Sequence, residues 1–463
     1  MHTVFDPLRL SSISMDVMAV NRGTPQGIVQ RQQARLAQLL EATLRGSRLY
    51  RSLWPAGTTA NTPLEQLPMV TRGQLMANFD HWVTDPQINL EALRQFTADP
   101  TRIAQPWLGR YMVWESSGTS GEPGIFVQDV ATMAVYDALE ALRRCATRPL
   151  ARWLDPLGLT ERIAFVGATG GHFASYASVQ RLRAINPVLS STMRSFSIQV
   201  PTHMLVAQLN AFSPSVVVTY PTVAALLADE ARSGALRARP REIWTGGESL
   251  SPAVRTHVQQ TLGSLVRNSY GSSEFLAIGW ECAHGHMHAN TDWVILEPVD
   301  EHFRPVPPGH PSCSVLLTNL ANHVQPLVRY NLSDHLTLHP ERCACGSPLP
   351  VITVQGRRDE PLIMAGANGQ PVTLLPLALS TVLEDEAGVF DFYLHQLDDT
   401  TLVLHIPLEG EAGRAAMVRG CAALTAFAIA QGVTAIEVRA ELGQAVPRGR
   451  SGKACRITAC IAD

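Results

Sequence analysis

Apolar residues first recur at helical spacing between residues 28 and 52. Ile28, Leu36, Leu39, Leu40 and Leu44 fall on one stripe, which predicts an amphipathic helix packed on a core. From about residue 160 short β-rich runs alternate with helical segments such as THMLVAQLNAF and SPAVRTHVQQTL; the runs are RIAFVGA, PSVVVTYPT, REIWTGGE and VRNSYG. Strands separated by helices predict an α/β fold with an at least partly parallel sheet. In such sheets ligands bind beyond the strand ends.

The pattern changes again after residue 312. SCSVLLTNL and HLTLHP predict antiparallel strands of a β-rich subdomain. Beyond residue 359, DFYLHQL, TLVLHIPL and IEVRAEL predict strands, and EAGRAAMVRGCAALTAFAIAQ predicts one helix. Charge interrupts two apolar runs at residues 356–359. We therefore predict a large N-terminal domain, residues 1–358, with mixed and parallel sheets flanked by helices, and a small α+β C-terminal domain, residues 359–463.

Composition narrows the class of protein. The 463 residues exceed what one hydrophobic core usually holds, and 46% hydrophobic with 17% charged residues is typical of a globular chain. A net charge of -3 argues against nucleic acid or an anionic membrane as partner. We expect no signal peptide in MHTVFDPLRLSSISMDVM, and no run reaches the ~18 apolar residues of a membrane helix. Eight cysteines are too sparse for a secreted scaffold and favour reduced thiols in the cytoplasm.

A glycine- and serine-rich stretch, WESSGTSGEPGIF, stands out at residues 114–126. Its backbone N–H groups and hydroxyls could converge on a phosphate, although an ordinary surface loop has the same composition. No Gly-Lys-Ser/Thr follows, so the stretch is not a P-loop. The candidate phosphate contacts are Ser116, Ser117, Gly118, Thr119, Ser120 and Gly121.

Five further motifs follow in order: WTGGE at 244–248, NSYGSSE at 268–274, RYNLSD at 329–334, GRRD at 356–359 and GRSGK at 449–453. Together with the loop, they resemble the motif set of the adenylate-forming enzymes, the acyl-CoA synthetase and adenylation-domain superfamily. The chain is most similar to the phenylacetate–CoA ligase-like branch, which SRLYRSLW and TNLANHVQPLVRY also resemble. The resemblance covers nearly the whole chain and implies a mobile C-terminal domain.

The resemblance implies an ATP site. The loop with Thr119 would hold the β- and γ-phosphates, and Glu274 would bind Mg²⁺, a cation that prefers carboxylate oxygen. Tyr270 would pack on adenine. Glu122 departs from the family, which often has lysine there, and its charge would repel a triphosphate. The other implied nucleotide-binding residues are Gly246, Gly247, Glu248, Asn268, Ser269 and Gly271.

Four more roles follow from the same resemblance. Asp334 would accept hydrogen bonds from both ribose hydroxyls, and Arg357 would contact ribose or phosphate. Asp359 would be the hinge about which the C-terminal domain rotates. Lys453 would stabilise charge on the α-phosphate and the carboxylate. Taken singly, Asp334 is also typical of a turn, Arg357 of a surface salt bridge and Lys453 of a solvated position.

A metal site is predicted where ECAHGHMH, residues 281–288, is followed by CACG, residues 343–346. Thiolates and imidazole suit a closed structural Zn²⁺ site. Cys282, His288, Cys343 and Cys345 would supply four ligands, although His284 and His286 compete with His288. Some members of the branch have a similar arrangement. The alternative is a set of thiols without metal.

The acid-binding pocket is less distinct in the sequence. GGHFASY, residues 170–176, contains His172 and Phe173 as candidate lining residues, with Tyr136 and Gly271 as further candidates. A buried core position is the alternative for the ring-bearing residues.

These patterns favour an ATP-dependent, AMP-forming carboxylate ligase. The resemblance implies an aromatic or arylacetic acid, activated to acyl-AMP with release of pyrophosphate and passed to a thiol of coenzyme A or of an acyl carrier protein. Two alternatives stay open: transfer to an amine, or a degenerate nucleotide-binding scaffold without catalysis. A homodimer is a common arrangement, but the sequence does not specify one.

Overall fold

Helices and strands alternate between residues 163 and 270 of the chain. The structure is a computed structural model and describes residues 4–116, 123–143, 161–355, 361–367, 370–389, 392–443 and 456–459. The α-helices in these residues are α1 (Pro7–Asn21), α2 (Pro25–Gly46), α3 (Arg48–Leu53), α4 (Arg72–Ala77), α5 (Phe79–Trp82), α6 (Leu90–Thr97), α7 (Val130–Leu142), α8 (Ala174–Ile185), α9 (Pro187–Thr192), α10 (Thr202–Phe212), α11 (Pro221–Arg232), α12 (Pro252–Leu262), α13 (Pro376–Thr381) and α14 (Gly410–Gln431).

The strands form five sheets within the same residues. They are β1 (Met112–Glu115), β2 (Ile125–Gln128), β3 (Ile163–Gly167), β4 (Met193–Ser197), β5 (Val216–Thr219), β6 (Glu242–Thr245), β7 (Leu265–Tyr270), β8 (Gly279–Glu281), β9 (Met287–Ala289), β10 (Val294–Val299), β11 (Ser314–Asn319), β12 (Tyr330–Asn331), β13 (His335–Leu338), β14 (Val351–Gln355), β15 (Leu362–Ala365), β16 (Pro371–Leu374), β17 (Tyr393–Gln396), β18 (Thr401–Ile406), β19 (Glu437–Leu442) and β20 (Ile457–Thr458).

The predicted N-terminal helix is interrupted at Ser47. α2 ends one residue earlier, and the Ser47 hydroxyl accepts a hydrogen bond from the backbone N–H of Tyr50 at 3.3 Å, capping α3. The apolar stripe faces inward as predicted, because all five of its members are buried or partly buried: Ile28, Leu36, Leu39, Leu40 and Leu44.

The largest sheet combines parallel and antiparallel pairing. Its nine strands lie in the order β13, β14, β9, β8, β7, β6, β5, β3 and β4. The four runs predicted as strands form β3, β5, β6 and β7, which pair in parallel through connections that contain α8 to α12. From β7 onward the pairing is antiparallel. The expectation of an α/β fold with a partly parallel sheet is confirmed.

Two smaller sheets accompany the central one. β1 and β2 form a hairpin, and β10, β11 and β12 form an antiparallel sheet. The two predicted antiparallel strands become β11 and β13. They have different partners, because β13 pairs with β14 in the central sheet.

The C-terminal segment contains the predicted strands and helix. β17 to β20 form a sheet in the order β19, β18, β17, β20, and α14 packs on β18 and β19. One apolar cluster includes Val166 and Val217 of the parallel strands together with Leu383 and Leu404 of this segment. The predicted boundary between residues 358 and 359 lies outside the described residues, so the division into two domains stays a prediction.

In the described residues, α14 is the one helix that is long and apolar enough to cross a membrane by length and composition. Of its most apolar window, 33% is buried in the fold. The buried positions recur every three or four residues and form one face: Gly413, Ala416, Gly420, Leu424, Phe427 and Ala428. This spacing is typical of a core helix with one apolar face.

A buried ion pair ties the N-terminal helices to the sheets. The guanidinium of Arg143, at the end of α7, donates to both carboxylate oxygens of Asp292 at 2.8 and 2.7 Å. Both side chains are 0% exposed. Arg143 also donates to Asn290 at 2.6 Å and to Asn21 of α1 at 3.2 Å. The pair therefore joins α1, α7 and the residues that precede β10.

We predict that Arg143→Met lowers the free energy of unfolding by about 3–5 kcal/mol, because Asp292 is left as a buried charge without its partner. Arg232→Met is the matched control, since Arg232 forms an exposed ion pair with Asp229, and such pairs contribute little. Urea unfolding of both variants measures the difference. Equal losses would contradict the assignment.

Candidate active site at the carboxyl end of the parallel strands

Four loops of interest leave the central sheet at the same edge. Residues 168–173, residue 220, residues 246–248 and residues 271–274 directly follow β3, β5, β6 and β7. Because these strands are parallel, their carboxyl ends meet, and this is where ligands bind in such sheets. The edge therefore collects the predicted nucleotide-binding motifs of residues 244–248 and 268–274.

Glycine is required where β6 and β7 end side by side. A Cβ on Gly246 would lie 2.8 Å from Ser269 Oγ, which itself donates to the carbonyl oxygen of Thr245 at 3.1 Å. Gly247 has a φ of +79°, and a Cβ there would lie 3.2 Å from the ring of Tyr220. A larger residue at Gly246 would push the ends of β6 and β7 apart, and one at Gly247 would be strained and press on the ring of Tyr220, which follows β5.

Hydrogen bonds fix the Glu248 side chain and both the side chain and the backbone of Asn268. The Glu248 carboxylate accepts hydrogen bonds from the N–H and the hydroxyl of Thr222, both at 3.1 Å. This places an anion at the start of α11, where the helix dipole favours it. Asn268 accepts from the Thr245 hydroxyl at 3.0 Å, and its N–H donates to Glu281 at 2.9 Å. Both residues thereby help to fix the shape of the edge.

Two tyrosine hydroxyls cross-link the motifs at 268–274 and 329–334. Tyr270 donates to Asp334 Oδ2 at 2.7 Å, and Tyr330 donates to Glu274 Oε1 at 2.8 Å. Burial and the nearby carboxylates raise the pKa of both tyrosines well above the usual value. The hydroxyls therefore stay protonated as donors, and the structure brings the predicted ribose and magnesium carboxylates together.

The turn that carries Glu274 is held from two other sheets. The Asn319 side chain donates to the carbonyl oxygen of Glu274 at 3.0 Å, and the Trp114 indole donates to that of Ser273 at 2.8 Å. A Cβ on Gly271 would lie 2.0 Å from the carbonyl oxygen of Leu276, so the turn closes only around glycine. β1 and β11 thus fix the backbone on either side of the Glu274 side chain.

The described part of the serine-rich loop is its base. Ser116 and Gly124 face each other at the end of the β1–β2 hairpin: the Ser116 N–H donates to the Gly124 carbonyl, and the Gly124 N–H donates to Ser116 Oγ, both at 2.8 Å. Next to it, the Glu115 N–H donates to the carbonyl oxygen of His172 at 2.8 Å. The predicted phosphate loop therefore connects two paired strands, and its base lies against the loop that follows β3.

The residues predicted for the acid pocket lie in two environments. His172 is 1% exposed; one ring nitrogen, Nε2, lies 3.0 Å from the Asp99 carbonyl oxygen, and its ring packs edge-on against Phe96. Tyr136 is also buried, and its ring contacts those of Trp114 and Phe275. Phe173 is partly exposed at the start of α8. His172 and Tyr136 thus pack in the core, while Phe173 lies at the edge of the sheet.

The four predicted zinc ligands converge. The ligand atoms of Cys282, His288, Cys343 and Cys345 all lie within 4.8 Å of one another. Cys282 Sγ is 3.8 Å from Cys343 Sγ, and Cys345 Sγ is 3.3 Å from His288 Nε2. The other ring nitrogen of His288 lies 2.9 Å from the carbonyl oxygen of Leu349. A carbonyl partner of this kind orients a metal-binding imidazole, so His288 faces the cluster through Nε2.

The thiols of this cluster differ in acidity. Burial would raise the pKa of Cys343, but hydrogen bonds from the Cys345 backbone, His286 and His288 lower it to about 5. Burial and the neighbouring sulfurs of Cys343 and Cys282 raise the pKa of Cys345 to about 11. Several thiolates in one place repel each other unless a cation compensates them. Three sulfurs and one imidazole fit the donor set that zinc prefers.

One known protein shares part of this sequence, as follows. No protein-family model matches the chain. The chain is 30% identical to phenylacetate-coenzyme A ligase from Thermus thermophilus over 281 residues, which is 58% of this chain and 59% of that relative. The chain therefore matches less than two thirds of the length of this curated relative.

Two crystal structures of 2-hydroxyisobutyryl-CoA ligase share the fold. The complex with 2-HIB-AMP and CoA has a TM-score of 0.58 at 20% identity, covering 93% of this chain and 89% of that one. The postadenylation complex with R3-HIB-AMP has a TM-score of 0.54 at 19% identity, with the same coverage. The resemblance to the adenylate-forming enzymes is confirmed. The fold is that of the adenylate-forming ligases, and the sequence match lies in the phenylacetate–CoA ligase-like branch.

Several residues with expected roles in this adenylate-forming fold fall outside the described residues. Their roles, and that of Glu122, therefore stay predictions: Ser117, Gly118, Thr119, Ser120, Gly121, Arg357, Asp359 and Lys453.

Sequence reasoning assigned no role to Tyr330 or Asn319, although both lie in stretches that resemble the adenylate-forming enzymes. Each contacts Glu274, one at its side chain and one at its backbone. A polar residue inside an otherwise apolar strand was the available signal for Asn319, because β11 is buried along its whole length and a buried amide needs partners.

We predict that Gly271→Ala destabilises the protein by about 1–3 kcal/mol, because the new Cβ collides with backbone that cannot move without opening the turn. Gly73→Ala is the control, since no atom lies within 4 Å of a Cβ there and alanine is the better helix former inside α4. Urea unfolding of both variants tests this. A Gly271→Ala protein as stable as the Gly73→Ala protein would contradict the close contact.

Proposed function

We propose that this protein is an ATP-dependent, AMP-forming ligase that activates a carboxylic acid and passes the acyl group to the thiol of coenzyme A. One observation carries the proposal: the crossed hydrogen bonds between Tyr270 and Asp334 and between Tyr330 and Glu274. They hold two carboxylates at the ligand-binding edge of a parallel sheet. The names of the similar proteins, phenylacetate-coenzyme A ligase and 2-hydroxyisobutyryl-CoA ligase, support the same activity.

In the first step a carboxylate oxygen of the acid attacks the α-phosphorus of ATP, and the bond to pyrophosphate breaks. Such a step needs positioning and charge stabilisation more than a protein nucleophile. In our proposal Asp334 holds the ribose, the 116–121 loop holds the outer phosphates, and Glu274 holds Mg²⁺. A cation held by Glu274 would supply charge neutralisation at the phosphates. Gly246 and Gly247 let the backbone approach the nucleotide.

In the second step the thiol sulfur attacks the carbonyl carbon of the acyl-AMP, and AMP leaves. Phe173, at the edge of the sheet, is the candidate contact for an aromatic or arylacetic acid, and buried Tyr136 and His172 would shape the pocket from behind. An acyl carrier protein would supply the same thiol chemistry as coenzyme A. Transfer to an amine is the second candidate within this mechanism.

Lys453 is the only lysine of this chain, among 37 basic Lys and Arg residues. Every other fixed cation is an arginine, so the lysine in the GRSGK motif stands apart from the general composition. A compact ammonium on a flexible stem suits transient contact with the α-phosphate and the acid carboxylate. We therefore assign it the charge-stabilising role in the first step, with Asp359 as hinge.

We further propose that Cys282, His288, Cys343 and Cys345 bind a structural Zn²⁺. The cluster joins the β8–β9 hairpin to residues 343–346, and β8 pairs with β7, which ends at Tyr270. Zinc here would stabilise the strand next to the nucleotide site rather than take part in chemistry. Reduced thiols of this kind fit a cytoplasmic protein, which we propose together with a homodimeric assembly.

We predict acid-dependent ATP–pyrophosphate exchange, screened over aryl, arylacetic and fatty acids. Lys453→Ala should reduce the exchange on the order of 100-fold or more, because an electrostatic contact of the transition state is lost, while ATP binding stays nearly intact. Arg439→Ala is the matched control, since it removes an exposed cation on β19. Exchange at the wild-type rate in Lys453→Ala would remove the lysine from the mechanism. No exchange with any acid would favour a scaffold.

We predict about one zinc ion per chain in purified protein and its loss in Cys343→Ser, with a lower unfolding temperature, because structural zinc contributes directly to folding. Cys313→Ser is the control, since Cys313 is exposed and takes no part in the cluster. Elemental analysis and thermal unfolding measure both effects. A wild-type protein without stoichiometric zinc would end this proposal.

A further inference from the structure

Tyr330 lies on a short strand whose position is fixed on both sides. Arg329 and Ser333 have φ values of 51° and 57°, a region that side-chain-bearing residues rarely adopt. The Arg329 guanidinium secures this conformation by pairing with Glu297 at 3.1 Å and donating to the Leu67 carbonyl oxygen at 2.6 Å. The backbone around Tyr330 therefore has little freedom to move its ring.

The Asn331 side chain fixes the strand a second time. Its Oδ1 accepts hydrogen bonds from the Ser314 hydroxyl at 2.6 Å and from the Ser333 N–H at 3.0 Å. The strand also pairs with β11, where Leu317 lies opposite Tyr330. The hydroxyl of Tyr330 is thus presented at a defined place rather than by a mobile loop.

That place is the Glu274 carboxylate. Among the described residues, only Tyr330 donates a hydrogen bond to this carboxylate, at Oε1. Both residues are buried, with exposures of 4% and 8%. A carboxylate has acceptor sites on two oxygens, so a hydroxyl on Oε1 fixes the plane of the group and leaves Oε2 for another ligand. A hard divalent cation prefers such an oxygen.

Tyr270 repeats the arrangement in the opposite direction. Its hydroxyl donates to Asp334 Oδ2. Burial and the negative charges of Asp334 and Glu274 raise the pKa of Tyr270. Burial and the charges of Glu274 and Asp334 likewise raise the pKa of Tyr330, whereas the positive charge of Arg72 lowers it. The two hydroxyls and the two carboxylates therefore form one local group.

We propose that Tyr330 and Tyr270 are positioning residues that act crosswise: Tyr330 orients the Glu274 carboxylate for the divalent cation, and Tyr270 orients the Asp334 carboxylate for the ribose. The inference rests on the proposed function for the identity of the two ligands. The two hydroxyls have separate roles, so removal of the Tyr330 hydroxyl should weaken binding of the cation and removal of the Tyr270 hydroxyl should weaken binding of the nucleotide.

The test uses the full chain and three substitutions that each remove one hydroxyl and keep the ring. Tyr330→Phe and Tyr270→Phe change the site. Tyr111→Phe is the matched control, because Tyr111 also donates to a carboxylate, Asp85 Oδ2, at 2.6 Å, and neither Tyr111 nor Asp85 belongs to the motifs of the candidate site. Equilibrium dialysis with ATP over a series of Mg²⁺ concentrations measures binding without turnover. ATP–pyrophosphate exchange with an active acid gives the half-saturating Mg²⁺ and the KM for ATP.

We expect Tyr330→Phe to raise the half-saturating Mg²⁺ on the order of tenfold, the worth of one hydrogen bond to a charged group. The KM for ATP at saturating Mg²⁺ should change little. Tyr270→Phe should raise the KM for ATP and change the half-saturating Mg²⁺ little. Tyr111→Phe should change neither quantity. Thermal unfolding of the three variants separates loss of folding from loss of positioning.

Two results would overturn the inference. One is an unchanged Mg²⁺ dependence in a folded Tyr330→Phe protein; the other is the same pair of shifts in both site variants. If Tyr330→Phe does not fold, the Tyr270→Phe protein decides alone, because a raised half-saturating Mg²⁺ there contradicts the crosswise assignment. Wild-type protein that binds MgATP but exchanges with no acid would refute the proposed ligase and leave the dialysis test of positioning intact.

Discussion

A carboxylate that is buried away from water needs a hydrogen-bond donor as partner, and this requirement recurs throughout the described structure. Asp292 pairs with Arg143 in the core. Glu281, the last residue of β8, accepts hydrogen bonds from Arg255 at 2.9 and 2.6 Å. At the candidate site the donors that the described residues supply to Asp334 and Glu274 include the hydroxyl groups of Tyr270 and Tyr330. A neutral donor orients Glu274 without cancelling its charge, which keeps the carboxylate able to attract a cation.

The sheet supplies the geometry within which that constraint operates. Parallel strands bring four loops to one edge, and Gly246 and Gly271 allow the backbone there to close without a side chain in the way. The antiparallel half of the same sheet carries the cysteine cluster, whose His288 is oriented by the Leu349 carbonyl. The two halves share β7, so the nucleotide edge and the cluster are supported by one continuous hydrogen-bonded ladder.

Local patterns were enough to predict β3, β5, β6 and β7 and helical segments between them, since strand runs and helical spacing are properties of short windows. THMLVAQLNAF, for example, coincides with α10. β4, which pairs in parallel with β3, was missed. The break at Ser47 was missed because the apolar stripe continues across it and only the serine cap interrupts the helix. The four cluster residues were predicted by ligand type, but no spacing reveals that the Leu349 carbonyl orients His288 or that His286 Nδ1 lies 3.1 Å from Cys343 Sγ.

The contacts of the site could not be predicted for the same reason. Tyr270 and Asp334 are 64 positions apart, and Tyr330 and Glu274 are 56 apart. Nothing in either motif indicates that its tyrosine donates a hydrogen bond to a carboxylate of the other motif. For His172 the sequence left two alternatives, a pocket-lining residue or a buried core position, and the ring lies buried against Phe96.

The crossed hydroxyls also restrict how the chain can diverge. A change at Tyr330 alters the environment of Glu274 in a distant motif, so the two stretches cannot drift independently. Substitutions would be accepted in pairs, with a new donor arising where the old one was lost. Among homologues the four positions should therefore covary as a set, and the set, rather than either motif, is the unit on which selection acts.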